Sequence, residues 1–210
     1  MSKYSDTVLY YVHDPMCSWC WGFNSTRQTL FKNLPDNIEI KWLLGGLAPD
    51  SDQPMPEEMR TYLQNTWRKI QQRIPGTKFN FDFWEKCKPR RSTYPACRAV
   101  IAAREQGSEF NLLMIQAIQK AYYTHASNPS DNNTLIALAD KIGLDIARFE
   151  KDLLAESTQQ KLLSEIKQCK KLGVENFPAL ILIAGNRKWR VPVDYNNSQV
   201  MLDVITDMLD

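Results

Sequence analysis

The sequence predicts an α/β fold in which an all-helical block interrupts a small sheet domain. Three observations predict it. Residues 1–49 contain a strand, a helix and a second strand, while residues 50–155 carry apolar residues at helical spacing without β-branched runs. Residues 156–210 then return to a helix, two strands and a last helix. We therefore predict a sheet domain formed by residues 1–49 and 156–210, with a helical insertion domain over residues 50–155.

Short local patterns predict the first elements of the sheet domain. Residues 7–12 (TVLYYV) are β-branched and aromatic and predict a strand, which Pro15 terminates because proline lacks an N–H. A helix is predicted from Cys17 to about residue 31. Residues 38–44 begin with apolar and polar residues in alternation, as a second strand would, before Gly45 interrupts the pattern.

The insertion and the last part of the chain follow from helical spacing and turn residues. In the insertion, helices are predicted over residues 57–74, 95–105, 109–124, 132–142 and 145–155, with a less regular aromatic segment over 77–88. A further helix over 157–172 has a capping box at its start, formed by Ser157 and Gln160. Strands over 179–184 and 188–193 predict a hairpin, and a helix over 197–209 follows.

Composition excludes several classes of partner. The chain has 210 residues, of which 43% are hydrophobic and 24% charged, as in ordinary globular proteins. Its 26 basic and 24 acidic residues leave a net charge of +2, which favours neither a nucleic-acid partner nor an anionic membrane. No window approaches 18 apolar residues, and the first twelve residues lack the pattern of a signal peptide. We therefore expect a cytoplasmic protein. A monomer or a weak dimer is expected as a separate matter.

The cysteine content indicates chemistry rather than a disulfide framework. Five cysteines in a long chain are an odd number, which does not suit the pairing found in small secreted domains. Two of them are separated by only two residues, and such a pair in a reducing compartment indicates catalysis or metal binding. The other three are interpreted as small buried apolar residues. The five are Cys17, Cys20, Cys87, Cys97 and Cys169.

The Cys17-Ser18-Trp19-Cys20 motif lies where a predicted strand gives way to a helix. The thiolate is the nucleophile in disulfide exchange, and the free N–H groups and dipole of a helix N-terminus stabilise such an anion. Cys17 would be the exposed nucleophile, and Cys20, one turn further on, would attack a mixed disulfide on Cys17 and release the substrate. Trp19 is expected to be exposed between the two thiols. A charged His13 beside the motif would favour the thiolate further, and a simple loop residue at the end of the strand is the other interpretation of His13.

A metal site is a second interpretation of the pair. Zinc requires four ligands, usually from another pair at short spacing. The remaining candidates are scattered cysteines and the only two histidines, His13 and His125. A zinc-binding or structural interaction module therefore stays an alternative, and the expectation is that no metal is bound.

A second informative segment is Asn176-Phe177-Pro178, which directly precedes the apolar strand of residues 179–184. A proline cannot donate a hydrogen bond to a sheet, so it must stand at the beginning of the strand. A cis bond at Pro178 would leave the backbone of Phe177 open to an extended substrate segment. Since only about 5–6% of such bonds are cis, an ordinary trans proline that ends a loop is the other interpretation.

With these motifs the chain resembles the DsbA-like branch of the thioredoxin superfamily, and within it the cytosolic FrnE-like proteins. Residues 14–23 (DPMCSWCWGF) match the active-site stretch of that family, and residues 176–180 (NFPAL) are similar to its cis-proline loop. Residues 92–99 (STYPACRA) resemble the start of a helix in the inserted domain. The resemblance implies a thioredoxin fold with an inserted helical domain, and an oxidoreductase or isomerase acting on protein or peptide thiols.

The resemblance also implies roles for individual residues. Cys17 would be the nucleophile, Cys20 the resolving thiol and Pro178 the cis-proline, and no cofactor beyond the redox-active disulfide is required. Many relatives carry a buried acidic residue six positions before the first cysteine, where it handles a proton. Here Tyr11 stands at that position, with His13 and Asp14 nearby.

Glutathione enters through other members of the same branch. The 2-hydroxychromene-2-carboxylate isomerases and the kappa-class glutathione transferases share the fold and use glutathione, but typically have serine at the first motif position. Because Cys17 and Cys20 are both present here, redox chemistry is favoured. A glutathione-dependent isomerase or transferase remains the alternative function, with glutathione as an alternative thiol partner.

Overall fold

A computed structural model describes residues 7–209 and contains a four-stranded mixed sheet with helices on both faces. The strands are β1 (Thr7–His13), β2 (Ile38–Leu44), β3 (Ala179–Ala184) and β4 (Arg187–Val191). The helices are α1 (Ser18–Lys32), α2 (Glu57–Arg73), α3 (Phe83–Lys86), α4 (Tyr94–Arg104), α5 (Glu109–Thr124), α6 (Asn132–Lys141), α7 (Ile146–Leu154), α8 (Glu156–Lys171) and α9 (Ser198–Leu209). No helix within the described residues combines the length and the apolar character needed to cross a membrane.

The sheet has the order β2-β1-β3-β4. β1 pairs in parallel with β2, because α1 carries the chain back between them, and Thr7 lies opposite Ile38. β3 is antiparallel to both β1 and β4, and a tight turn at Gly185 joins the last two strands. β1 is therefore an inner strand, and its C-terminal end lies next to the start of α1.

Side chains alternate between the two faces of the sheet and build a separate core on each. Leu9 and Tyr11 of β1 point to one face, where Phe23 of α1 and Met201 of α9 complete a buried cluster. Val12 points to the opposite face and packs in a cluster with Cys169 of α8. The sheet domain therefore has three layers, with α1 and α9 on one side and α8 on the other.

A third buried cluster surrounds Trp67 of α2, which is 1% exposed, and it also includes Leu44 of β2 and Leu162 of α8. The Trp67 ring lies 4.9 Å from the rings of both Phe79 and Trp84, measured between centroids, and 5.6 Å from Tyr123. The aromatic segment after α2 is therefore core, and it includes the short helix α3. α8 packs against both β2 and α4, and the domain boundary at residue 156 stays a prediction.

Three local predictions concern the ends of elements. Asp145 caps α7 as expected, because its carboxylate accepts a hydrogen bond from the Arg148 N–H at 3.0 Å. The capping box at Ser157 is wrong, since α8 begins at Glu156 with Ala155 as its N-cap residue. β4 ends at Val191 rather than at residue 193, because the proline that follows cannot donate to the sheet.

Candidate active site

The predicted cysteine pair lies at the start of α1, directly after the loop that follows β1. Cys17 is the N-cap residue of α1 with extended backbone angles (φ −79°, ψ 116°), and Cys20 lies one turn inside the helix. The first turn contains no acidic residue, so no carboxylate there opposes a negative charge at the helix N-terminus. Both residues are free thiols in this structure.

Cys17 faces the loop that precedes β3. The Phe177–Pro178 peptide bond is cis, and the Cys17 thiol donates a hydrogen bond to the Phe177 carbonyl oxygen, with Sγ and oxygen 3.6 Å apart. The structure thus brings together two motifs that are 160 positions apart. Cys17 is only 6% exposed, so the expectation of an exposed first thiol is wrong. The loop carrying Phe177 lies against the sulfur and shields it.

The close approach of Phe177 depends on a glycine. A Cβ atom built on Gly45, just after β2, would overlap the aromatic ring of Phe177. Gly45 also donates its backbone N–H to the carbonyl oxygen of His13 at 2.7 Å, which ties the end of β2 to the end of β1. The sequence identified Gly45 only as the end of a strand, and its packing against the cis-proline loop is visible only in the structure.

Trp19 is half-buried rather than exposed. Its ring lies 5.1 Å from that of Tyr195, and the guanidinium of Arg73 lies 5.6 Å from the ring centroid. Arg73 ends α2, while Tyr195 lies in the segment before α9. The rim beside the thiols is therefore built by three separate parts of the chain.

Cys20 is completely buried. Burial raises the pKa of the Cys20 thiol well above its usual value, and the neighbouring Cys17 raises it further. Tyr11, at the position where the resemblance implied an acid, is 1% exposed. Burial, with the charge of Cys20, raises the pKa of Tyr11 well above 10.0, so the hydroxyl is protonated.

Asp14 is a buried acid at the site. Its carboxylate accepts hydrogen bonds from the N–H of Met16 at 2.8 Å, the N–H of Leu47 at 2.7 Å and the Thr93 hydroxyl at 2.7 Å. The Cys97 thiol donates to the same carboxylate at 3.5 Å. Burial raises the pKa of Asp14, and these hydrogen bonds oppose the rise. Asp14 thereby ties the loop before Cys17 to the start of α4.

The contacts of Asp14 place residues 92–99 beside the candidate site. Thr93 and Cys97 lie one helical turn apart at the start of α4, and both bind this carboxylate. Sequence reasoning noted Asp14 as a residue near the pair but could not place it. Two features of the sequence could have indicated these contacts: an acid three positions before the first cysteine, and a Thr-x-x-x-Cys segment in the insertion.

The remaining three thiols are buried or half-buried. Cys97 and Cys169 are buried, which raises the pKa of Cys97 well above 9.0 and that of Cys169 to about 12. Cys87 is half-buried and donates to the Ala126 carbonyl oxygen at 3.0 Å. Among residues 7–209, no group of three or more histidine, cysteine or acidic side chains is arranged to hold a metal ion.

Comparisons with known proteins agree with this geometry. The sequence model of the thioredoxin family matches residues 10–191. A crystal structure from Nitrosomonas europaea, titled as a candidate protein disulfide isomerase, is 25% identical and superposes with a TM-score of 0.83, covering 97% of this chain and 98% of that one. The cytosolic disulfide reductase DsbM from Pseudomonas aeruginosa is 21% identical with a TM-score of 0.74, covering 96% and 98%. DsbM has also been solved with GSH.

The curated relatives have a different name. The ClpXP adapter protein SpxH of Bacillus subtilis is 26% identical over 174 residues, which are 82% of this chain and 56% of that protein. SpxH of Halalkalibacterium halodurans is 23% identical over 182 residues, which are 85% of this chain and 59% of that protein. The chain thus spans less than three fifths of the length of these relatives. Together, the likenesses confirm a thioredoxin-like fold with inserted helices, of the DsbA-like kind.

Proposed function

This chain belongs to the thioredoxin family, and we propose that it catalyses thiol–disulfide exchange through Cys17 and Cys20. One observation carries the proposal: the Cys17 sulfur lies at a helix N-terminus and 3.6 Å from the Phe177 carbonyl oxygen, next to the cis-proline. A helix N-terminus stabilises the thiolate, and the backbone at Phe177 can pair with an extended substrate. The DsbA-like fold supports the same activity.

The reaction has two balanced steps. The Cys17 thiolate attacks one sulfur of a substrate disulfide, forming a mixed disulfide and expelling the other sulfur as a thiolate that takes up a proton. Cys20 then loses its proton and attacks the Cys17 sulfur, which forms the Cys17–Cys20 disulfide and releases the second substrate thiol. The substrate gains two electrons and two protons, and the enzyme loses them. The reverse sequence introduces a disulfide.

Protein or peptide thiols are the proposed substrates. The carbonyl and N–H groups around Phe177 and Pro178 would bind the extended backbone next to a substrate cysteine, with Trp19 at the rim. The proposed location of this oxidoreductase or isomerase is the cytoplasm, in agreement with the name of the cytosolic DsbM. Glutathione is the proposed small-thiol partner, because DsbM, which shares the fold, has been solved with GSH.

A protein-binding role is the second candidate. All four curated matches at this level of similarity carry the name of an adapter protein, and none of their names refers to redox chemistry. An adapter needs a binding surface rather than a reactive thiol. The two functions therefore differ in whether they depend on Cys17.

Insulin reduction with dithiothreitol tests the proposal directly. Wild-type protein is expected to accelerate the precipitation of insulin chains, while Cys17→Ser abolishes the acceleration. Cys20→Ser is expected to accumulate a mixed disulfide on Cys17, detectable by non-reducing electrophoresis and mass spectrometry. Cys87→Ser is the matched control, because it removes the half-buried thiol outside the pair. Equal rates for wild type and Cys17→Ser would contradict the proposal and favour the adapter role.

A further inference from the structure

An open groove adjoins the candidate active site on the side of the helical insertion. It encloses about 610 Å³, which lies within the range of roughly 300–1,000 Å³ found for ligand sites. Its walls come from the first half of α1, from residues 74–78 after α2 and from the end of α5. Neither Cys17 nor the cis-proline loop lines it, so the groove is distinct from the thiol site described above.

The groove begins one helical turn from Cys17. Trp21 lines the groove, and its backbone N–H donates to the Cys17 carbonyl oxygen at 3.0 Å. Four residues advance an α-helix by about 6 Å and return to nearly the same face. On the other side, Ile74 in the groove wall directly follows Arg73, whose guanidinium lies 5.6 Å from the Trp19 ring centroid. The rim of the thiol site therefore continues into the groove.

Packing between α1 and the insertion fixes the floor of the groove. The Trp21 ring is stacked on Tyr123 with centroids 5.5 Å apart, and its Nε1 donates to the Lys78 carbonyl oxygen at 3.1 Å. A Cβ atom on Gly22 would lie 2.7 Å from Cδ1 of Ile74, so the glycine allows the loop after α2 to approach α1. The floor is therefore an apolar surface held by contacts between α1, this loop and α5.

The charged side chains around the groove are positive. Lys78 and Lys120 line it and are exposed, Arg73 is exposed at its entrance, and no acidic residue lines it. Within residues 7–209, none of these three cations forms an ion pair with a carboxylate. The groove therefore presents uncompensated positive charge beside an apolar floor.

The sequence explains the sign of this charge. The chain contains 24 acidic residues, yet three stretches are free of aspartate and glutamate: residues 15–35, 59–81 and 110–130. The fold brings parts of all three together, since they supply the walls of the groove. The local charge is thus positive, although the net charge of the chain is only +2. A complementary ligand carries negative charge together with an apolar part.

We propose that this groove binds an acidic segment of a protein substrate while Cys17 attacks the disulfide of that substrate. The proposal rests on the thiol–disulfide exchange described above and adds a substrate preference to it. An extended chain advances about 3.3 Å per residue, so a groove that begins about 6 Å from Cys17 is reached by residues two to four positions from the substrate cysteine. A carboxylate there would meet Lys78 or Lys120, and an apolar neighbour would pack on Trp21. The apolar floor and the distance from Cys17 favour a polypeptide over a small anion.

Synthetic peptides with one cysteine, activated as a 2-pyridyl disulfide, test this preference. The Cys17 thiolate attacks the peptide sulfur and forms a mixed disulfide, while the pyridine thiolate leaves, takes up a proton and is followed by its absorbance as the thione. The peptides differ only in the residues three positions before and three positions after the cysteine, which are both glutamate, both glutamine or both lysine. The rate of Cys17→Ser, which keeps the other thiols, is subtracted. Each rate is divided by that of the same peptide with dithiothreitol, an uncharged thiol.

Wild-type protein is expected to react with the glutamate peptide roughly fivefold faster than with the glutamine peptide at low salt, because each exposed ion pair contributes a modest attraction. The lysine peptide should be the slowest. Near 1 M salt the screening length falls to about 3 Å, so the difference should largely vanish. Equal rates for the glutamate and glutamine peptides at low salt would overturn the proposal. The absence of Cys17-dependent thione release from all three peptides would instead refute the underlying exchange activity, so the two failures are distinguishable.

Charge reversal shows whether the groove itself is responsible. The double variant Lys78→Glu/Lys120→Glu is expected to reverse the order, so that the lysine peptide becomes the fastest. Lys167→Glu/Lys171→Glu is the matched control, because it changes the net charge equally through two exposed lysines of α8 that do not line the groove. This control is expected to keep the wild-type order. Equal loss of the preference in both double variants would overturn the proposal, since the net charge would then account for it.

Discussion

Acid should destabilise this protein through a single histidine. His13, at the end of β1, is 1% exposed; its ring is stacked on Tyr11 with centroids 5.0 Å apart and lies edge-on to Trp42 at 5.3 Å. Burial, together with the charges of Arg27 and Arg104, lowers the pKa of His13 from 6.5 to about 3. The expectation that a charged His13 assists the thiolate is therefore wrong, because the imidazole is neutral at physiological pH.

The sign and size of the effect follow from proton binding. Between pH 6.5 and about 3 the unfolded chain binds a proton at His13 and the folded chain does not, so stability falls as the pH falls. A difference of 6.5 − 3 = 3.5 pKa units corresponds to about 5 kcal/mol when fully expressed. Between pH 7.5 and pH 5.0 the loss is about 2 kcal/mol. This is a large fraction of the ~5–15 kcal/mol that stabilises a typical domain.

Urea unfolding at pH 7.5 and pH 5.0 measures this loss. His13→Phe keeps an aromatic ring between Tyr11 and Trp42 but cannot bind a proton. We expect wild-type protein to lose about 2 kcal/mol more than His13→Phe on acidification. His125→Phe is the control, because this other histidine is exposed at the C-cap of α5 and should leave the wild-type difference unchanged.

The comparison uses only the change in the free energy of unfolding between pH 7.5 and pH 5.0. Asp14 is present in every variant, and its raised pKa acts in the opposite direction, since stability from its protonated form is lost as the pH rises. Its contribution therefore cancels between wild type and His13→Phe. A pH-dependent loss in His13→Phe equal to that of wild type would refute the reasoning, whatever the absolute stability of the variant.

Two further predictions concern the contacts that hold the site together. Asp14→Ala should lower the free energy of unfolding by about 3–6 kcal/mol in urea melts, because the N–H of Leu47 and the Thr93 hydroxyl are among the buried donors left without this acceptor. A loss below about 1 kcal/mol would show that these hydrogen bonds do not stabilise the fold. Gly45→Ala should displace the Phe177 ring and reduce insulin reduction while iodoacetamide still labels Cys17. Insulin reduction at the wild-type rate in Gly45→Ala would show that the loop position is unimportant.

Most of the secondary structure was predictable because it depends on neighbouring residues. The β-branched run of residues 7–12 forms β1, and the helical spacing of residues 109–124 forms α5 with the same bounds. Predictions failed where a local rule competed with packing. Ser157 resembles a capping residue, but α8 begins earlier and starts from Ala155. Trp19 resembles an exposed rim residue, but Tyr195 and Arg73 enclose it.

The sequence by itself determined the chemistry available to this protein. Two thiols at the start of a helix, with a proline before a buried strand, are local patterns, and each could be recognised within a few residues. Their meeting was also inferred, but through resemblance to a family. The sequence further determined that no acid stands at position 11, although it left open which group acts in its place.

Only the tertiary structure decided how these groups meet. The contact between Cys17 and Phe177 joins positions 160 apart, and the bond between Asp14 and Thr93 joins positions 79 apart. Such contacts depend on how distant segments pack, which local propensity does not encode. The same holds for Arg27 of α1, which packs against the rings of Tyr11 on β1 and Trp42 on β2. Burial then changes the titration of His13, Cys20 and Tyr11, because each loses the water that would stabilise its charge.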